Sequence, residues 1–95
     1  MNRLSALVMR FLSGEISVEA FYSAYEHIYN FGTDPAALTG EEARVFETLF
    51  DVVARYSPFE DEREAISFYC DEKQIREVAL TAVEALGLNT PGRRE

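Results

Sequence analysis

His27 and Cys70 are the single histidine and the single cysteine of this 95-residue sequence, so proton transfer near neutrality or thiol attack would have to run through one of them. His27 sits between Glu26 and Ile28 inside a helical pattern, where an isolated histidine reads as a polar surface residue. Cys70 follows Phe68-Tyr69 and precedes Asp71-Glu72, a setting of aromatics and acids that suits a small buried hydrophobe. Neither residue has the closely spaced ligand pair that a zinc site requires. There is no Gly-rich phosphate loop, and clustered exposed carboxylates lack the contrast of environments that acid–base catalysis needs. No catalytic residue, no metal and no cofactor are expected.

Carboxylates are what the chain has in excess. Seventeen Asp+Glu against nine Lys+Arg give a net charge of −8, which disfavours nucleic acid and anionic membranes as direct partners. Residues 41–77 hold eleven acids and five bases, so −6 of that charge lies there. Four of these acids, Glu41, Glu42, Asp71 and Glu72, fall at helix starts, where negative charge complements the helix dipole. Asp51 lies mid-helix, four residues after Glu47, a like-charge spacing that opposes helix formation. Glu60, Asp61, Glu62 and Glu64 crowd into what reads as an irregular loop. These residues do not start helices in this reading and are taken as a patch facing a partner, with Arg55 and Arg63 orienting them through nearby pairing. A dense anionic surface on a rigid scaffold is suited to fast docking on a basic protein cleft, and a nuclease owns such a cleft.

The elements that must position this patch are helical. Leu4, Leu7, Val8, Phe11 and Leu12 make one apolar face before Gly14. Ser17 caps a second helix with Val18, Phe21, Tyr22, Tyr25, Ile28 and Tyr29 on its inner stripe, broken by Gly32 and Pro35. Thr39 and Glu42 form a capping box for a third helix, whose stripe of Phe46, Leu49, Phe50, Val53 and Tyr56 runs to Ser57-Pro58. Residues 65–70 read as a helical turn or an extended strap. Asp71 then caps a fourth helix facing inward through Ile75, Val78, Ala79, Ala82, Val83 and Leu86, up to Gly87. The expectation is an all-α fold, an antiparallel four-helix bundle, with a single domain over residues 1–88 and a flexible tail over 89–95. One cysteine fits a reducing cytoplasm, and the start of the chain is too short and too charged for a membrane span or secretory segment, so the mature protein is expected to begin at or near Met1.

Three strings occur in order: Phe11-Leu12-Ser13-Gly14-Glu15-Ile16-Ser17 followed by Phe21; Leu49-Phe50-Asp51-Val52-Val53-Ala54-Arg55-Tyr56-Ser57-Pro58 with an acid-rich continuation; and Asp71-Glu72-Lys73-Gln74-Ile75-Arg76-Glu77. Together they resemble the colicin D immunity-like proteins, over nearly the whole chain to about Leu88. That resemblance implies a four-helix bundle forming a one-to-one complex with the catalytic domain of a transfer-RNA-cleaving toxin. In such a complex the active-site cleft is covered by an imitation of the transfer-RNA backbone. Family contacts are acids late in the third helix and in the loop after its proline. Asp51 retains the helix acid, whereas Ala54 and Ser57 stand where the colicin D partner has acids, and Glu60, Asp61, Glu62 and Glu64 would compensate. Related proteins accompany contact-dependent inhibition toxins. The expected toxin-binding set is Glu47, Asp51, Glu60, Asp61, Glu62, Glu64, Asp71 and Glu72. The competing reading is a small acidic helical adaptor that docks a regulatory protein through an apolar groove, anchored by Tyr22, Tyr25, Tyr29, Phe59 and Phe68.

Overall fold

Most of the helix punctuation in the sequence is realised in a computed structural model, which describes residues 3–88. The expected tail, residues 89–95, lies outside the described residues. Helix α1 spans Arg3–Leu12 and closes on Gly14, whose φ of +82° is readily adopted only without a Cβ. The Ser13, Gly14 and Glu15 amides donate back to Met9, Phe11 and Arg10 carbonyls. Helix α2, Val18–Phe31, begins at Ser17, whose Oγ accepts from the Ala20 amide, and ends at Gly32. A single 3-10 turn at Pro35–Ala37 leads to α3, Gly40–Ala54, and the Thr39–Glu42 capping box is formed in both directions. Helix α5, Glu72–Ala85, starts from a second capping box, between Asp71 and Gln74.

Between α3 and α5 the structure departs from expectation. Glu60–Ala65 is a helix, α4, where an irregular loop was expected, so five helices are present among the described residues. Three acids in its first turn complement the helix dipole, and bonds from Ser57 to Glu62, Phe59 and Arg63 hold this charged run, which has no apolar stripe, in its helical turn. Helix α3 also stops two residues before Tyr56, which therefore leaves its expected place on the inner stripe and forms an isolated parallel bridge with Cys70. No strand is present among the described residues, and the fold is all-α.

Principal contacts run from α1 to α2, from α2 to α3, from α3 to α5 and from α5 back to α1. The core they enclose is supplied by Leu4, Val8 and Phe11 of α1, Phe21 and Tyr25 of α2, Phe46, Leu49 and Val53 of α3, and Ile75, Ala79 and Val83 of α5. Phe11 stacks on Phe21 with ring centroids 4.3 Å apart, an arrangement that adds about 0.5–1.5 kcal/mol to the burial itself. Tyr25 is fully buried and donates its hydroxyl to the Phe46 carbonyl at 2.9 Å, so its polar end is satisfied inside the core. Helix α4 contributes no buried residue.

Candidate functional site

The end of α3 is where the chain gathers its charged elements. Arg55 closes the helix, and the Cys70 amide donates to the Arg55 carbonyl at 2.7 Å while the Ser57 amide donates to the Cys70 carbonyl at 3.0 Å. These two main-chain bonds clip residues 57–70 into an excursion that leaves the core and returns to it, as Ω-loops do. Cys70 is buried at its foot, as expected of a small hydrophobe. Ser57, 3% exposed, fastens α4 to this foot. Its Oγ donates to Glu62 Oε1 at 2.6 Å and accepts from the Phe59 amide at 3.2 Å, while its carbonyl accepts from the Arg63 guanidinium at 2.6 Å.

Tyr56 is the second organising residue. Its hydroxyl donates to Glu19 Oε2 of α2 at 3.0 Å, and its ring packs on Tyr22 at 5.1 Å. The hydroxyl is pushed up to about 12, first by desolvation, then by the hydrogen bond to Glu19 and by the charges of Glu19 and Glu72, with Arg63 acting in the opposite direction. Carboxylates from α2 and α5 and a guanidinium from α4 are thus all within electrostatic reach of one phenol.

Each expected site residue has a definite place. Asp51 is exposed and pairs with Arg55 at 3.3 Å, and the Arg55 guanidinium lies over the Phe68 ring at 5.6 Å. Glu47, one turn earlier on α3, is exposed and faces Tyr29, whose hydroxyl is raised first by desolvation and then by the Glu47 charge. Glu60, Asp61 and Glu64 stand exposed on α4; Asp61 Oδ1 accepts from the Glu62 amide at 3.1 Å. Asp71 is half-buried and commits a carboxylate oxygen to the Gln74 amide at 2.9 Å. Glu72 pairs with Arg76 at 3.0 Å, and Arg76 covers the Phe11 ring at 4.3 Å and donates to its carbonyl.

Two sequence expectations are corrected by this geometry. Glu60–Glu62 do have a local role, as helix-start acids, while Asp51 pairs with Arg55 as expected and Arg63 turns instead to the Ser57 carbonyl. Tyr25, offered as an adaptor anchor, is fully buried, and Tyr22 and Tyr29 are half-buried, so of those aromatics only Phe59 and Phe68 face solvent.

Sequence reasoning missed Glu19 and Ser57. Glu19 is remote in sequence and carries no local signal; Ser57, three residues before a helix start, carries the mark of a hydroxyl-stabilised turn. A shallow groove between α3 and α5 is lined by Val45, Val78, Ala82 and Ala85 with Arg44, Thr48 and Thr81. Among the described residues no group of three or more His, Cys, Asp or Glu side chains could hold a metal ion, and no helix is long and apolar enough to cross a membrane.

Residues 2–86 match the sequence model of a family described as bacterial self-protective colicin-like immunity. No curated protein and no solved structure matches the chain.

Proposed function

From the premise that this chain belongs to the bacterial self-protective colicin-like immunity family, and so is an inhibitor of a bacterial toxin, we propose that its target is a transfer-RNA-cleaving nuclease of the colicin or contact-dependent inhibition type. In this reading residues 1–88 form one domain in the cytoplasm, with α1, α2, α3 and α5 as an antiparallel four-helix bundle. The domain binds one toxin catalytic domain and covers its basic cleft with carboxylates standing where transfer-RNA phosphates would lie. Asp51, Glu60, Asp61 and Glu64 enter the cleft; Glu47, Glu62, Asp71 and Glu72 set its rim. The observation that supports this most is the end of α3, where the Tyr56 hydroxyl holds Glu19 of α2 and the Ser57 hydroxyl holds Glu62 of α4. Rigid placement matters because a preorganised charged surface steers a partner without an ordering cost on contact.

The test uses the nuclease domain encoded beside this gene. Nanomolar or tighter binding is expected, and micromolar or absent binding overturns the assignment. Replacing Glu60, Asp61 and Glu64 together by Lys leaves the Ser57–Glu62 bond in place. Association should slow by about tenfold or more and its salt dependence should flatten, with far-UV helical loss no greater than the six residues of α4. Full protection of cells by that variant would show that the patch is not the binding surface. The adaptor reading retains one observation, the apolar groove between α3 and α5. Binding indifferent to ionic strength and lost on filling that groove by Ala82→Phe would favour it.

A further inference from the structure

The excursion clipped between Ser57 and Cys70 carries three large apolar side chains that folding does not use. Phe59, Ile66 and Phe68 are 59%, 50% and 58% exposed. Within residues 57–70 only Ser57 and Cys70 are buried, and α4 buries nothing, so the three residues do not serve the core. Nor are they adrift: the Ile66 amide is bound to the Glu62 carbonyl at 2.9 Å and the Tyr69 amide to the Ile66 carbonyl at 3.2 Å. Phe68 meets the Tyr69 ring edge-on at 5.8 Å and lies under Arg55. Apolar groups grouped on one short segment and interleaved with Glu60, Asp61 and Glu64 make a surface that water solvates poorly at some points and very well at others. Interfaces divide labour along that line. Peripheral charges set the rate of encounter, while a few desolvated aromatic and aliphatic side chains set the rate of release.

We propose that Phe59, Ile66 and Phe68 are the anchors by which this protein holds its toxin, seated in apolar hollows beside the basic cleft, with the α4 acids acting on approach. The partner's chemistry follows from the acids around the anchors: a cationic protein surface with apolar depressions, as the toxin-binding reading on which this inference rests requires. Because the three side chains are largely exposed, trimming them should leave the helical signal unchanged and lower thermal stability only slightly, most at Phe68, which contacts Tyr69 and Arg55.

The experiment measures association and dissociation separately, with the catalytically silenced toxin domain as probe, for wild type, Phe59→Ala, Ile66→Ala, Phe68→Ala and Phe68→Leu. At least one Phe→Ala variant should dissociate about tenfold faster or more at unchanged association rate and unchanged salt dependence, with Phe68→Leu closer to wild type than Phe68→Ala. If wild type binds and all three Ala variants dissociate as it does, this inference falls and the toxin-binding reading stands. If wild type does not bind the toxin at all, both fall together. A variant that slows association instead of hastening release also overturns the inference, because it would make the apolar groups part of the encounter.

Discussion

Replacing Ser57 by Ala should unfasten α4 while leaving the core closed. Six residues with no buried member cannot sustain a helix in water, because nucleation costs more than so few hydrogen bonds return. What holds α4 is its tether. Ser57→Ala removes the bond from Oγ to the Glu62 carboxylate at 2.6 Å and the one accepted from the Phe59 amide at 3.2 Å, but keeps the Arg63 bond to the Ser57 carbonyl. A hydrogen bond to a charged group contributes about 1.5–3 kcal/mol and a neutral one about 0.5–1.5 kcal/mol. Glu62 is exposed and recovers hydration when released, which offsets part of the loss, leaving about 2 kcal/mol.

That loss corresponds to about a 30-fold fall in the equilibrium against local opening. Native-state hydrogen exchange reads it at two amides, Arg63 bonded to the Phe59 carbonyl and Ile66 bonded to the Glu62 carbonyl. Both should lose protection by that factor, with the interior amides of α2 and α5 holding theirs. Unchanged protection at Arg63 and Ile66 would refute the tether argument. An equal loss across α2 and α5 would show that the excursion opens only with the whole fold.

Two further outcomes follow from the core and the caps. Burial, and then the charge of Tyr29, holds the Tyr25 hydroxyl far above its ordinary value. Above about pH 10 the unfolded chain therefore gives up a proton that the folded chain keeps. Stability that is complete below that point falls by about 1.4 kcal/mol per pH unit for this group. Tyr25→Phe should cost about 1 kcal/mol near neutrality and flatten the alkaline loss by that slope in urea titrations run between about pH 7 and about pH 11, and equal slopes would contradict the burial argument. Thr39→Ala removes the hydroxyl arm of the α3 capping box, the 3.0 Å bond accepted from the Glu42 amide, and keeps the arm in which the residue-39 amide donates to Glu42. It should lower stability by about 1 kcal/mol and the melting temperature by about 4–8 °C, and an unshifted transition would show that the hydroxyl arm is dispensable.

Helices α1, α2, α3 and α5 were legible because each carries its apolar face and its stop signals within a few residues: Gly14, Ser17, Thr39 with Glu42, and Asp71 with Gln74. Helix α4 was not, since Glu60–Ala65 has no apolar periodicity and is held by Ser57 from outside its own span. Tyr56 was assigned to the α3 stripe because its spacing continues the period, yet pairing with Cys70, fourteen residues later, takes the backbone out of the helix first. Of the site, the positions of the acids and the nearby pairing by Arg55 could be read, but not the company that comes from other helices. Nothing local predicts that Glu19 of α2 meets Tyr56, or that Arg76 spans from α5 to the carbonyl of Phe11. Such pairings belong to helix packing, which periodicity constrains only to a face.

The Ser57–Cys70 clip uses main-chain atoms alone and is therefore indifferent to the side chains it encloses. Between its feet the chain tolerates rewriting: doubling the enclosed length costs only about 0.6 kcal/mol of closure entropy, and no core contact is renegotiated because α4 supplies none. Under the proposed toxin-binding reading, a dozen positions between the feet can be altered to suit a different toxin while the helices that keep the molecule folded stay as they are.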